Sequence, residues 1–315
     1  AAKKLEGNPD NPVNRGGLCA RGQAAIQVTY HPDRITHPLK RKGNRGDGNY
    51  EAITWEAAIA EVVATLNGIA GSANSLAFLG RPGSSHRDAL IAQFLSRFGA
   101  PPAIQYELFG DPVLPQANGL SFGIRQLPTF DLANTRYLLN FGADLLGTWN
   151  SPVSQARAYG EMRQGRAGIR GHFVQVESRL SQTAASADEF VPIRPGTEGI
   201  LALRLAQAVL QHAGAQGASQ TALVKSVGGL NDYTPALVEK ETGIPAARVE
   251  RLARELAERS PALAVIGGAP LAYTNGLFNA IAVNTLNVVL GSVGRAGGLA
   301  FTPQMNVAAV DARPI

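Results

Sequence analysis

The sequence predicts an α/β protein with doubly wound parallel sheets in two domains. Short apolar runs of strand length alternate along the chain with longer amphipathic segments of helix length. Most of the strand-length runs end in Gly or an acid, as at Gly80, Gly142 and Glu177, and ligands of such folds bind at the carboxyl ends of the strands. The composition, 45% hydrophobic and 17% charged with 35 glycines, is typical of an Ala- and Gly-rich globular chain and argues against disorder.

Charge and cysteine content narrow the functional classes. The net charge is +5, but the one dense basic run, residues 40–45, has no basic helix with interleaved aromatic residues, which argues against nucleic-acid binding. Cys19 is the single cysteine, so the chain has no disulfide framework and no complete zinc or iron–sulfur site of its own. No apolar run reaches the ~18 residues of a membrane span. Residues 1–4 resemble neither a signal peptide nor a start methionine, so we expect an internal or processed start.

The first 50 residues are predicted to contain turns without a core of their own. They are rich in Gly, Pro, Asn and Arg and show little periodicity, so they must lie over another part of the molecule. Residues 30–41 are expected to form an extended strap that leads to a short hairpin around 43–50. Regular structure begins at Thr54, which can cap a helix whose apolar stripe covers 55–66.

Residues 75–80 are predicted to form a short buried strand, which a Gly- and Ser-rich turn connects to a helix over 86–98. Strand, turn and helix in this order open a parallel α/β unit. Residues 100–130 show no clear period. Because a connection this long is usually functional or covers a site, we expect it to lie near one.

A second α/β region is predicted from residue 137 onward. Its strands are expected at 137–141, 172–176, 190–193 and 263–266, and its helices at 152–164, 199–211, 246–257 and 277–290. An acid at a strand end, polar turns and a helix N-terminus converge within residues 171–208. This convergence predicts a nucleotide-type pocket.

Several collinear stretches together resemble the molybdopterin oxidoreductases of the DMSO-reductase family. They are G-G-L-C-A-R-G, H-P-D-R-I-T-H-P-L-K-R, I-T-W-E-A-A-I, V-E-S-R-L-S-Q-T-A-A-S-A-D, P-I-R-P-G-T-E-G, and Y-T-N-G with G-S-V-G-R-A-G-G. The resemblance implies two Rossmann-like domains, the second and third of the family, without its C-terminal barrel-like domain. It implies that 1–50 is a remnant of the iron–sulfur cap, that 51–130 with 260–315 forms the first α/β domain, and that 131–259 is inserted as the second.

The sequence departs from this family where metal chemistry is concerned. The family implies molybdopterin guanine dinucleotide and a [4Fe–4S] cluster, here lost or supplied by other chains. Cys19 resembles the last cluster cysteine, but a cluster needs about four thiolates, and the alternative is a small buried hydrophobe. In the family a metal ligand follows an F-G-x-P segment, and after F-G-A-P here Asp111 is the only plausible substitute. The alternative for Asp111 is a turn residue before Pro112.

The resemblance also implies the residues of a pterin-dinucleotide pocket. They are Gly142, Asp144, Glu177, Arg179, Arg194, Gly196, Thr197 and Glu198. Glu177 is expected to accept from a ribose or amine, and Arg179 and Arg194 to pair with phosphate. Thr197 and Glu198 are expected to contact a guanine edge. The alternatives are that 194–198 is a helix cap with an ion pair, that Asp188 is an ordinary cap, and that the pocket persists without a cofactor.

Two functions of different class remain open. The stretch F-G-A-D-L-L-G-T-W-N resembles the molybdopterin-like part of the large iron–sulfur subunit of alternative complex III. That resemblance implies a scaffold without its own metal in a respiratory quinol:acceptor oxidoreductase. Its partners would be a ferredoxin-like iron–sulfur protein, a membrane quinol-oxidising subunit and c-type cytochromes, on the periplasmic face of the cytoplasmic membrane. The second function is an active molybdenum or tungsten bis-pterin enzyme with Asp111 as metal ligand and clusters from other chains.

A free-standing nucleotide-binding domain is a third interpretation, which the collinear matches disfavour. Hydrolase chemistry is also disfavoured. The five histidines are scattered without metal-ligand spacing on one helix, and no serine lies in a nucleophile elbow.

Overall fold

The chain folds as two units in a computed structural model that describes residues 2–83, 85–108, 110–164, 170–213 and 229–302. Unit 1 comprises Ala1–Leu5 and Ala20–Gly110, and unit 2 comprises Glu6–Cys19 and Asp111–Ile315. Elements are numbered here in chain order over the described residues. Within those ranges, no helix combines the length and the apolar character that crossing a membrane requires.

The described residues of unit 1 form three α-helices and two small sheets. The helices are α1 (Ala20–Thr29), α2 (Trp55–Gly68) and α3 (His86–Phe98). The strands are β1 (Leu39–Arg41), β2 (Tyr50–Ala52), β3 (Leu79–Gly80) and β4 (Ile104–Gln105). The strands β1 and β2 pair as an antiparallel hairpin, and β3 and β4 pair in parallel across α3. The β3–α3–β4 order is the parallel α/β unit that the sequence predicts.

Unit 2 contains most of the regular structure. Its helices are α4 (Val113–Phe122), α5 (Pro152–Arg163), α6 (Gln182–Ala185), α7 (Glu198–Ala213), α8 (Pro235–Thr242), α9 (Ala246–Glu258), α10 (Ala269–Ala272) and α11 (Gly276–Val289). Its strands are β5 (Thr129–Phe130), β6 (Tyr137–Phe141), β7 (His172–Glu177), β8 (Glu189–Pro192), β9 (Ala262–Ile266) and β10 (Leu299–Ala300).

The main sheet of unit 2 has four parallel strands in the order β8-β7-β6-β9. Its strands are nearly continuous apolar runs because both faces are covered. Tyr137 and Leu139 of β6 point into a core formed with helices α7, α9 and α11. Leu138 and Phe173 point to the opposite face, where they pack with Met162 of α5. This α/β arrangement with a parallel sheet confirms the predicted fold class, and the described residues form no closed barrel.

The free edge of β9 is closed by a side chain of α11. The Asn287 amide accepts from the backbone N–H of Ala264 at 2.9 Å and donates to its carbonyl at 2.8 Å. Asn287 therefore makes the two hydrogen bonds that a further strand would make at this position, and it does so in a fully buried environment.

Most of the elements predicted from periodicity are confirmed. The strand Tyr137–Phe141 and the helix His86–Phe98 have the predicted bounds. Thr54 caps α2, because its hydroxyl accepts from the backbone N–H of Ala57 at 3.2 Å. The helices α1 and α4 are missed by the sequence analysis. The first has only a weak apolar face, and the second contains Pro and Gly, which lower helix propensity.

One strand prediction is wrong, and one pairing differs from the expected domains. The buried strand expected at 75–80 is only two residues long, and Leu79 in it is 68% exposed; within the described ranges β3 has β4 as its single partner. Residues 262–266 pair with β6, although the predicted division places them with 51–130. The three-part division into domains itself stays a prediction, and it includes 165–169, 214–228 and 303–315, which lie outside the described residues.

Candidate functional site

The carboxyl edge of the main sheet brings together the loops that carry most of the predicted site residues. The chain runs from β6 outward to β7 and β8, and then returns to place β9 on the other side of β6. The strand order therefore reverses between β6 and β9. In open parallel sheets, ligands bind at the carboxyl ends of the strands beside such a reversal.

Two glycine-containing loops meet at this reversal. Gly142 after β6 has φ +71°, and a Cβ there would lie 2.6 Å from Cδ of Pro270 in α10, which follows β9. Gly268 has φ +68°, and a Cβ there would lie 3.0 Å from the carbonyl oxygen of Gly142. The predicted site residue Gly142 thus has a structural requirement of its own, since only glycine permits this close approach.

Asp144 ties its own loop to the short helix α6. One carboxylate oxygen accepts from the Thr148 backbone N–H at 2.9 Å and from its hydroxyl at 3.1 Å. The other accepts from the Thr183 hydroxyl at 2.6 Å. Asp144 therefore has internal partners on both oxygens, and it acts in this structure as a loop-fixing residue.

Glu177 ends β7 and is buried, with 6% of its surface exposed. Its Oε2 atom accepts from the Ser181 hydroxyl at 2.6 Å and from the Gln175 amide at 3.3 Å. Its Oε1 atom lies 3.4 Å from Nε of Arg179, whose side chain is 73% exposed. The predicted site residues Glu177 and Arg179 are therefore in contact with each other, with the acid inside and the guanidinium at the open edge.

Arg194 follows β8 and lies along the end of a neighbouring helix. Its guanidinium donates to the carbonyl oxygen of Lys240, in the last turn of α8, and its backbone N–H donates to the Thr242 carbonyl at 3.1 Å. A cation at a helix C-terminus is favourable because of the helix dipole. The ion pair with Glu198 that we considered does not form, since this guanidinium contact goes to α8 instead.

The helix α7 begins at Glu198, which has a buried carboxylate oxygen without a hydrogen-bond partner among the described residues. Glu198 is 1% exposed, and burial raises the pKa of its carboxyl, while the backbone N–H groups of Glu198 and Gly196 act in the opposite direction. Its Oε2 atom is buried and has no hydrogen-bond partner among the described residues. The Thr197 hydroxyl donates to the Arg194 carbonyl at 2.7 Å, and Asn275 donates to the Gly196 carbonyl at 2.7 Å. The loop before Glu198 is therefore held from both sides.

The predicted metal ligand Asp111 lies just before α4 and is engaged by two donors. Trp149 donates from Nε1 to Oδ2 of Asp111 at 3.3 Å. Burial raises the pKa of the Asp111 carboxyl, and the hydrogen bonds from Trp149 and from the backbone N–H of Leu114 act in the opposite direction. The indole also covers the end of β9, where a Cβ on Gly267 would lie 2.5 Å from the ring.

Cys19 is a free, exposed thiol in unit 2, so the alternative of a small buried hydrophobe is wrong. Within the part of the chain that the structure describes, no three His, Cys, Asp or Glu side chains are grouped so that they could hold a metal ion. Asp188 is not a helix cap, because it pairs with Arg163 of α5 and accepts from the backbone N–H of Phe173 at 2.8 Å. That alternative is wrong as well.

Sequence reasoning missed the polar residues that support the site. Asn140 and Gln175 are fully buried neighbours on β6 and β7, Trp149 covers a strand end, and Asn275 holds the loop before α7. A signal existed for the first two, because each interrupts an otherwise apolar strand with an amide. Trp149 and Asn275 have no comparable signal, since their contacts come from distant loops.

Comparison with known families gives matches over nearly the whole chain. The family described as molybdopterin oxidoreductase matches residues 34–313, and the molybdopterin oxidoreductase Fe4S4 domain matches residues 1–31. The second match contains the single cysteine, Cys19.

Individual relatives are longer proteins. The chain is 30% identical over 302 residues to the menaquinone reductase molybdopterin-binding-like subunit of Nitratidesulfovibrio vulgaris, covering 95% of this chain and 42% of the relative. It is 28% identical over 306 residues to the molybdopterin-containing subunit of thiosulfate reductase from Salmonella typhimurium, covering 94% and 38%. The chain thus spans about two fifths of the length of these relatives.

A solved structure shares the fold. Acetylene hydratase from Pelobacter acetylenicus matches 89% of this chain and 39% of its own, with a TM-score of 0.69 and 20% sequence identity. At this identity the match supports the fold and carries no statement about activity.

Proposed function

Because this chain belongs to the molybdopterin oxidoreductase family, we propose that it is a molybdopterin-like subunit of a membrane-associated respiratory complex. The complex would be a quinol:acceptor oxidoreductase of the alternative complex III type. A menaquinone reductase subunit among the relatives supports electron transfer with a quinone, and the sequence resemblance supports the type of complex.

Within this complex we propose that the chain is a scaffold without a metal of its own. The observation that carries this proposal is the state of Asp111, the candidate ligand for molybdenum or tungsten. Its Oδ2 atom accepts from Trp149 at 3.3 Å, and the backbone N–H of Leu114 also donates to its carboxylate. These contacts give Asp111 a structural role beside the start of α4 that needs no metal.

The same edge has groups that fit the guanine nucleotide end of a pterin dinucleotide. The buried Oε2 atom of Glu198 lacks a partner among the described residues, and it suits the N–H groups of a guanine edge. The terminal nitrogens of Arg179 lie at the surface and suit phosphate oxygens. When bound with its metal, such a cofactor supplies two-electron or oxygen-atom transfer. If the chain is a scaffold, we propose that these residues bind the nucleotide as a structural part of the fold.

An iron–sulfur cluster does not fit these residues in the same way. A [4Fe–4S] cluster requires about four thiolates, and the 315 residues contain Cys19 alone. We propose that the clusters of the complex are carried by a ferredoxin-like partner protein. The further partners in this proposal are a membrane quinol-oxidising subunit and c-type cytochromes, at the periplasmic face of the cytoplasmic membrane.

Substitution of Asp111 separates the scaffold from a metal enzyme. If the chain is a scaffold, Asp111→Asn keeps an oxygen acceptor for Trp149, and quinol oxidation by the purified complex stays within about twofold of the wild type. If Asp111 binds a metal, the rate falls by about 100-fold or more because a charged ligand is lost. Asp10→Asn, an exposed acid in the same unit, is the matched control.

An active molybdenum or tungsten bis-pterin oxidoreductase is the second candidate. Similarity to the molybdopterin-containing subunit of thiosulfate reductase favours it, as does the partly buried carboxyl of Asp111 at the sheet edge. In this alternative Asp111 is the protein ligand to the metal, and clusters come from other chains. A large loss of rate in Asp111→Asn alone would favour it over the scaffold.

A further inference from the structure

A chain of buried amides links the β6 loop to the acid at the end of β7. Asn140 and Gln175 are directly opposite each other in the β6–β7 pairing, and both are 0% exposed. The Asn140 amide nitrogen donates to the Ala143 carbonyl at 2.6 Å and to Oε1 of Gln175 at 2.7 Å. The Gln175 amide nitrogen then donates to Oε2 of Glu177 at 3.3 Å.

These amides lie on an otherwise apolar face of the sheet. Leu138 and Phe173 precede them on the same face of their strands, and Val265 is opposite Asn140 on β9. Two apolar side chains of similar volume would fill this space without the cost of burying amides. Packing therefore does not explain why amides are present here. We look for the explanation in the groups that Asn140 and Gln175 fix in place through their hydrogen bonds.

The direction of the hydrogen bonds shows what they hold. Asn140 fixes the Gln175 side chain with its oxygen inward, so that the nitrogen of Gln175 faces the carboxylate of Glu177. The Ser181 hydroxyl is the second donor to the same Oε2 atom, at 2.6 Å. With Oε2 held by two internal donors, Oε1 of Glu177 is the atom directed to Arg179, at 3.4 Å from its Nε.

This arrangement leaves the terminal nitrogens of Arg179 available at the surface. Glu177 engages Nε, and the remaining guanidinium donors make no ion pair among the described residues while the side chain is 73% exposed. A guanidinium paired with a carboxylate on its Nε side leaves both terminal nitrogens available, which matches two oxygens of a phosphate group.

We propose that Asn140 and Gln175 are positioning residues that orient Glu177, and through it Arg179, toward the phosphates of a bound guanine nucleotide. The inference rests on the proposed pocket, since it needs a nucleotide at this edge. It adds that the acid–arginine pair is set from inside the sheet, by residues that do not touch the ligand. It also explains two amides that a purely architectural sheet does not need.

The test replaces the amides with apolar side chains of similar volume. The double variant Asn140→Leu/Gln175→Met removes the three side-chain amide hydrogen bonds that Asn140 and Gln175 donate, and it keeps the core filled. We expect its thermal midpoint to stay within ~4 °C of the wild type. We expect its affinity for guanine nucleotide to fall by ~10-fold, because a charge-assisted contact loses its geometry.

The readout is guanine nucleotide per chain. Purified chain is dialysed against subsaturating GDP, hydrolysed in acid and analysed by chromatography, so that both added GDP and a retained pterin dinucleotide are counted as GMP. Asn284→Leu is the matched control. It replaces a buried amide that contacts Asn118 at 2.9 Å on α4, away from the β6–β7 pair.

The outcomes separate the two proposals. Loss of nucleotide in the double variant with an unchanged midpoint, and no loss in the control, supports the positioning role. Equal nucleotide content in the wild type and the double variant overturns the positioning role and leaves the pocket standing. A large drop in midpoint in parallel with the loss of nucleotide means that the amides are structural, which also overturns it. A wild-type chain with no guanine nucleotide overturns the pocket, and the positioning role with it.

Discussion

Unit 2 buries its apolar residues and unit 1 does not, although both have the elements of an α/β fold. In unit 2, strands such as β6 are buried along their whole length between two layers. In unit 1, Leu95 is the one large apolar side chain that is buried among the described residues. A cavity of about 690 Å³, lined by Leu79, Leu95 and Ile104 among others, lies between α3 and the β3–β4 pair.

The difference shows that a region can form regular helices and strands without forming a packed apolar core. The helix α2 has its predicted cap and its predicted apolar stripe, yet Trp55 in that stripe is 66% exposed and Val62 is 58% exposed. Hydrophobic burial is the main favourable contribution to folding. We therefore expect the stability of this chain to reside in unit 2, and we expect the candidate site to be rigid because unit 2 carries it.

Hydrogen exchange tests this comparison with the largest expected effect. Backbone amides of β6, β7 and β9 should exchange at least ~1,000-fold more slowly than those of α2 and α3, because local opening of unit 1 exposes little new apolar surface. Mass spectrometry of the chain under native conditions measures the difference. Equal protection in the two units would contradict the comparison.

Matched leucine truncations give the next largest effect. Leu139→Ala removes a fully buried side chain of β6 and should lower the free energy of unfolding by ~2–5 kcal/mol. Leu79→Ala removes a side chain that is 68% exposed and should change it by less than ~0.5 kcal/mol. Urea unfolding curves of both variants measure the two values. A cost for Leu79→Ala as large as that for Leu139→Ala would mean that unit 1 has a core of its own in solution.

The sequence allowed the elements of both units to be predicted, and the parallel sheet with them. Periodicity decided this, because strands such as 137–141 read as uninterrupted apolar runs. The same patterns did not separate a buried stripe from an exposed one, as α2 shows. Burial depends on the partner that a face meets, and a local pattern contains no information about that partner.

The candidate site was predictable in its location and only partly in its contacts. Its place at the strand ends followed from topology, and the contact of Glu177 with Arg179 agrees with it. Arg194 is directed to α8, a helix separated by more than 40 residues in sequence, so no short motif could show that contact. The contact of Asp144 with Thr183, 39 residues further along the chain, was hidden in the same way.

A pH titration of Glu198 gives the smallest predicted effect and concerns the well-packed unit. Burial raises the pKa of this carboxyl above its unfolded value of 4.5. The folded state then holds a proton more tightly than the unfolded state, so stability decreases as the pH rises from 4.5 through the folded pKa. Glu198→Gln removes this loss. It should be more stable than the wild type at pH 7, by roughly 1 kcal/mol, and should show little difference at pH 4.

Urea unfolding at both pH values checks this sign. The matched control is Glu189→Gln, because Arg251 and Arg248 hold the pKa of Glu189 below its usual value against the opposing effect of burial. That substitution should lower stability at pH 7. If Glu198→Gln were also less stable than the wild type at pH 7, the buried carboxylate would stabilise the folded state. Its unpartnered oxygen would then not destabilise the fold, and the account of Glu198 as a group kept for a ligand would be contradicted.

The metal content of the purified complex tests the central claim most directly. We measure molybdenum and tungsten per copy of this chain by inductively coupled plasma mass spectrometry, together with pterin released by acid. A scaffold whose one candidate ligand, Asp111, is bound by Trp149 predicts far less than one metal atom per chain. One molybdenum or tungsten atom per chain would contradict the account and establish the chain as the site of a metal enzyme.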